Sequence, residues 1–95
     1  MNTFDFLKLK TPREVNMLIA NRIRTIRKRR KISQIRLSEK SGVSLGSVKR
    51  FERTGEISLT SLVKIAIALE VSSELEDLFK NVPPLSIKEI LNERD

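Results

Sequence analysis

Residues 34–52 read QIRLSEKSGVSLGSVKRFE, and this stretch decides the fold. Ser33 precedes it with a side-chain oxygen suited to a helix N-terminus, so Gln34 opens a helix. Along that helix Ile35, Leu37 and Ser38 are expected to face inward. Gly42 ends it, because glycine enters the left-handed conformation of a tight turn without a Cβ penalty. Ser44 caps a second helix, on which Val48 and Phe51 turn inward. The small Ser38 lets the two backbones approach closely, while Val43, Val48 and Phe51 bury between the helices and set their crossing angle. Leu45, Gly46, Lys49, Arg50 and Arg53 are left on the outer side of the second helix, which Thr54-Gly55 closes.

Helices extend on both sides of this pair. Upstream, Thr11-Pro12-Arg13-Glu14 combines a capping box with proline at the first helical position. Val15, Leu18, Ile19, Ile23 and Ile26 then recur at three- and four-residue spacing, predicting one apolar stripe on a helix that runs to about Arg30. Downstream, Ser58 or Leu59 begins a helix with Leu62, Ile65, Ala66 and Leu69 on one face. Ser73 with Glu76 forms a further capping box, predicting a short helix through Leu78 and Phe79. Pro83-Pro84 breaks the chain, and Ser86 with Glu89 signals a last turn or two carrying Ile87, Ile90 and Leu91. Residues 1–10, with Phe4 and Phe6 among lysines, form a short arm for which a strand and a disordered tail both stand open. The expectation is an all-α protein: an arm at 1–10, a helical domain at 11–82 and a short tail at 83–95.

Composition narrows the function. Ninety-five residues suit one domain with one core. The chain has no cysteine and no histidine, which removes thiol chemistry, the commonest general base and the commonest zinc ligands. No nucleophile constellation remains, so neither an enzyme nor a metal or cofactor site is expected. No stretch approaches the ~20 apolar residues of a membrane span. Asp5, Lys8 and Lys10 interrupt the apolar N-terminus as a signal peptide would not allow, so a soluble, cytoplasmic protein is expected. The net charge is +7 and strongly polarised. Residues 20–54 hold twelve basic and two acidic side chains, whereas residues 56–95 hold four basic and eight acidic ones. One face is therefore built to meet a polyanion and another to face elsewhere.

Several local features have plain readings. Glu74, Glu76 and Asp77 oppose a helix dipole and need no metal. Gly42, Gly46 and Ser47 lack the spacing and the lysine of a phosphate loop. Phe51 and Phe79 are expected in the core. The run Arg27-Lys28-Arg29-Arg30-Lys31 serves as a dipole-matched helix end, a localisation or membrane patch, or a set of phosphate contacts, and the motif that follows it favours the last.

Two short helices joined by a glycine-containing turn, the second capped by serine, form a helix-turn-helix. Such a unit lays its second helix in the DNA major groove. Residues from about Ile19 to Phe79 resemble the Cro/C1-type (XRE) helix-turn-helix family, a five-helix, lambda repressor-like DNA-binding domain. The resemblance rests on Gln34 opening the second helix and on KRFERTGEISLTSLVKIAIALEV at 49–71. It implies a structural ion pair between Arg27, seven residues before Gln34, and Glu52. It also implies phosphate contacts from Gln34, Arg36, Ser44, Ser47 and Arg53. Base reading would fall to Lys49 and Arg50, with Leu45 against a thymine methyl and Gly46 allowing close backbone approach. Ser38 replaces the family's usual alanine, and Leu45 and Gly46 replace polar readers.

A narrower resemblance joins SLGSVKRFERTGEISLTSLVKIAIAL at 44–69, the LF at 78–79, the two prolines and SIKEIL at 86–91 to HipB-like antitoxins. It implies an autorepressor that also binds and inhibits a HipA-like serine/threonine kinase toxin. The alternative is a stand-alone repressor of the phage or restriction-controller sort. Leu75, Leu78, Phe79 and Val82 are either ordinary core or a homodimer interface. A dimer would set two recognition helices one DNA turn (~34 Å) apart and require a near-palindromic operator.

Overall fold

The computed structural model describes residues 9–93, so the expectations for the arm that rest on Phe4 and Phe6 lie outside the described residues. Six helices follow one another: α1 (Pro12–Arg29), α2 (Gln34–Ser41), α3 (Leu45–Thr54), α4 (Leu59–Ala68), α5 (Ser72–Glu76) and α6 (Ile87–Asn92). The described residues contain no strand.

Side-chain caps set most of the helix starts. Thr11, Ser33, Ser44, Ser58 and Ser86 each accept a hydrogen bond from the backbone N–H three residues on, satisfying a donor that the first turn leaves unpaired. Gly42 and Gly55 end α2 and α3 in the left-handed conformation. After α1 and α4 that position is held by Lys31 and Glu70. Ile32 N–H returns to the Arg27 carbonyl and Val71 N–H to the Ala66 carbonyl, which closes both ends as Schellman motifs.

One core forms where α1 packs on α3, α2 on α3 and α4, and α4 on α5. It is filled by Ala20, Ile23, Leu37, Val43, Val48, Phe51, Ile65 and Leu69. The stripe on α1 differs from the expected one. Ala20, Ile23 and Arg27 are its buried residues, whereas Val15, Leu18 and Ile19 are exposed. The packed face is therefore rotated toward the side that meets α3. On α2, Leu37 is fully buried but Ile35 is 58% exposed. Two residues rotate a helix by about 200°, so a short helix that buries Leu37 turns Ile35 outward.

The expected capping box at Ser73 is absent. α5 starts two residues earlier, with Val71 in the cap position and no side-chain cap bond. The Schellman turn at Glu70 feeds the chain directly into the next helical turn, and Glu74 N–H bonds the Val71 carbonyl. Ser73 is then inside the helix, where its carbonyl accepts from Asp77 N–H. The helix also stops at Glu76, short of Leu78 and Phe79. Phe79 takes a left-handed conformation and is 80% exposed, so it is not a core residue. Residues 77–93 contribute no buried side chain, and α6 carries Ile87, Ile90 and Leu91 exposed.

Candidate nucleic-acid interface

Helix α3 divides cleanly into two faces. Val48, Phe51 and Glu52 are buried, Leu45 is half-buried, and Gly46, Ser47, Lys49, Arg50 and Arg53 are exposed. Its end is fixed from both sides. Gly55 has φ +80°, and a Cβ there would lie 2.8 Å from the backbone carbon and Cβ of Asn16 on α1. Only glycine fits both the turn and the close approach.

Glu52 ties α3 to the rest of the domain. Arg27 on α1 donates through Nε to Glu52 Oε2 and through Nη2 to Oε1, both at 2.8 Å. Its Nη1 donates to the Ile32 carbonyl at 2.8 Å, which holds the chain entering α2. Gln34 Nε2 donates to Glu52 Oε1 at 3.2 Å, and Arg24 Nε lies 3.9 Å from the same oxygen. Burial pushes the Glu52 carboxyl up, but the Arg27 and Gln34 hydrogen bonds and the charges of Arg27 and Arg24 outweigh it, holding its pKa below the ordinary glutamate value. Arg27 and Glu52 are only 7% and 8% exposed, so this arginine leaves the basic run to serve the frame. Lys28, Arg29, Arg30 and Lys31 remain exposed beside it.

The remaining expected site residues sit around the outer face of α3. Ser44 Oγ accepts from Ser47 N–H and donates to Ser47 Oγ at 2.8 Å, so both hydroxyls gather at the start of the helix. Gln34 lies half-buried at the start of α2, held by Glu52. Arg36 is exposed and pairs with Glu39 at 3.2 Å. Lys49 and Arg53 are exposed and have no ion-pair partner among the described residues. Arg50 is also exposed, but its Nη2 pairs with Glu56 Oε2. The sequence alone does not mark Glu56 as part of this face. The signal available was its place just after the Thr54-Gly55 helix stop, where a reversing chain brings a side chain back over the preceding turn.

Leu75 is half-buried against the domain, whereas Leu78, Phe79 and Val82 are all exposed. No described helix is long and apolar enough to cross a membrane.

No curated protein sequence gives a significant match to the chain. The helix-turn-helix family profile HTH_3 matches residues 23–75, more than half of the chain. The match runs from the buried Ile23 of α1 to the end region of α5 and takes in the α2–α3 unit whole. With a helical frame, two short helices set by a left-handed Gly42, and a basic exposed face on the second, the chain belongs to the HTH_3 helix-turn-helix family of DNA-binding transcriptional regulators.

Proposed function

We propose that this regulator is a sequence-specific, autorepressing protein that binds a near-palindromic duplex operator as a two-fold dimer. The observation that carries the reading is the outer face of α3, where Lys49, Arg50 and Arg53 stand exposed on a helix whose inner face is locked. Lys49 and Arg50 read base edges, with Leu45 and Gly46 allowing close approach to the groove floor. Gln34, Arg36, Ser44, Ser47 and Arg53 hold phosphates and set the register. The Glu52 hydrogen bond orients the Gln34 side chain for that task, and Arg36 would exchange Glu39 for a phosphate.

Leu75, Leu78, Phe79 and Val82 form the dimer contact in this reading. Their exposure, from Leu78 onward, supports it, since large apolar side chains gathered in one segment mark an interaction surface. The acidic second half of the chain would repel DNA and suits a protein partner. The resemblance to HipB-like antitoxins makes that partner a HipA-like kinase.

Selection of binding sequences from a random duplex pool, followed by footprinting and sedimentation, tests the DNA reading. The expected result is one enriched near-palindrome protected by a dimer. An unenriched pool, or protection by a monomer on a single half-site, overturns the dimeric sequence reader. A pull-down from the native host tests the partner: a stoichiometric kinase supports the antitoxin role, and recovery with DNA alone supports the stand-alone repressor.

A further inference from the structure

Arg50 and Glu56 are joined by more than the ion pair. Thr54 Oγ1 donates to the Arg50 carbonyl at 2.7 Å, and Glu56 N–H donates to Thr54 Oγ1 at 3.2 Å. Glu56 Oε2 in turn accepts from Arg50 Nη2. These three bonds close a ring that starts and ends on Arg50. The left-handed Gly55, held against Asn16, is what brings Glu56 back over the helix. Guanidinium has five donors in a planar fork, and this ring occupies one of them. Arg50 Nε and Nη1 make no other hydrogen bond among the described residues, which leaves donors for a base edge.

We infer that Glu56 is a specificity-determining residue that holds the Arg50 guanidinium in one orientation on the recognition helix. It has two effects, both resting on the proposal that Arg50 reads a base. Fixing the fork reduces the rotamer freedom Arg50 loses when it reaches a guanine, because a preorganised side chain has less to give up on binding. The carboxylate also opposes use of Arg50 as a sequence-blind phosphate clamp, since Glu56 and a phosphate carry the same sign. Side chains of both partners are more than half exposed, so the effect is modest in size and shows in discrimination before it shows in stability.

The test compares the wild-type protein with Arg50→Ala, Glu56→Gln and the double variant on the duplex that the wild type enriches from a random pool. Each single-base change in that duplex is measured, along with the salt dependence on a scrambled duplex. Arg50→Ala is expected to abolish preference at one base pair. Glu56→Gln is expected to lower preference at that same pair by about two- to fivefold, the range of an exposed ion pair. It is also expected to steepen the salt slope on scrambled duplex by about one phosphate contact. Without Arg50 it should change neither. Unaltered preference in Glu56→Gln, or tighter binding to all sequences alike, overturns the role of Glu56 while leaving Arg50 as the reader. If Arg50→Ala alters no base preference, or the pool yields no sequence, the base-reading proposal falls and this inference with it. Thermal melts of all four proteins identify any loss that is merely unfolding.

Discussion

The molecule uses the same chemical pair twice, arginine with glutamate, in two surroundings. At Arg27–Glu52 both partners are buried, two parallel hydrogen bonds join them, and Gln34 and the Ile32 carbonyl use further capacity on each. At Arg50–Glu56 one bond joins two exposed side chains on the outer side of α3. In the first, a missing partner strands a charge away from water. In the second, water replaces whatever is lost. The same functional groups therefore hold a frame in one region and aim a side chain in the other, and burial decides which.

The largest break should come at the buried pair. Arg27→Ala is expected to destabilise the domain by about 3–5 kcal/mol, because the buried Glu52 loses its two-bond partner and keeps only the Gln34 bond and the longer Arg24 approach. Urea unfolding measures it, and a loss below about 1 kcal/mol would place this pair with ordinary surface bridges. Arg27→Met combined with Glu52→Leu should recover most of the loss, since no charge is then stranded.

Acid sharpens the same contrast. The folded-state pKa of Glu52 lies below its ordinary value of 4.5, so the folded state favours the ionised carboxylate. Its contribution is fully present above that ordinary value and is lost as pH falls through the lowered pKa. Stability followed by urea midpoint should therefore decline below about pH 4.5, and Glu52→Gln should flatten the decline. An unchanged slope in the variant would assign the acid sensitivity elsewhere.

Arg50→Ala should leave stability nearly unaltered but cost about 1–3 kcal/mol of binding on the selected duplex, concentrated at one base pair. Arg36→Ala, at the other end of the unit, should weaken all duplexes alike and reduce the salt slope by about one. If both variants weaken every sequence equally, the division into readers and anchors fails. The smallest effect is expected for the stability of Glu56→Ala, within about 1 kcal/mol by chemical denaturation.

Local chemistry made much of this fold legible. Caps at Thr11, Ser33, Ser44, Ser58 and Ser86 and stops at Gly42 and Gly55 act over three or four residues, so the string of letters carries them whole. The sequence stays ambiguous where tertiary packing chooses between faces. Ile35 is as apolar as Leu37, and only the position of α3 and α4 decides which is covered. Ser73 had a capping partner at the right spacing, but the Schellman turn at Glu70 had already started the helix. Phe79 has the composition of a core residue in a segment that has no core to join. At the candidate site, Arg27 and Glu52 were legible through a family pattern, whereas Glu56 depends on a chain reversal and on the rotamer that meets it.

The two-faced helix α3 also has an evolutionary consequence. Val48, Phe51 and Glu52 are buried in the domain, while Gly46, Lys49, Arg50 and Arg53 stand exposed on its outer side, Arg50 tied there to the equally exposed Glu56. Surface substitutions of that kind usually shift stability by no more than about 0.5 kcal/mol. Under the proposed reading, a duplicated copy of this gene can change its target through substitutions at Lys49 and Arg50 at small cost to the fold.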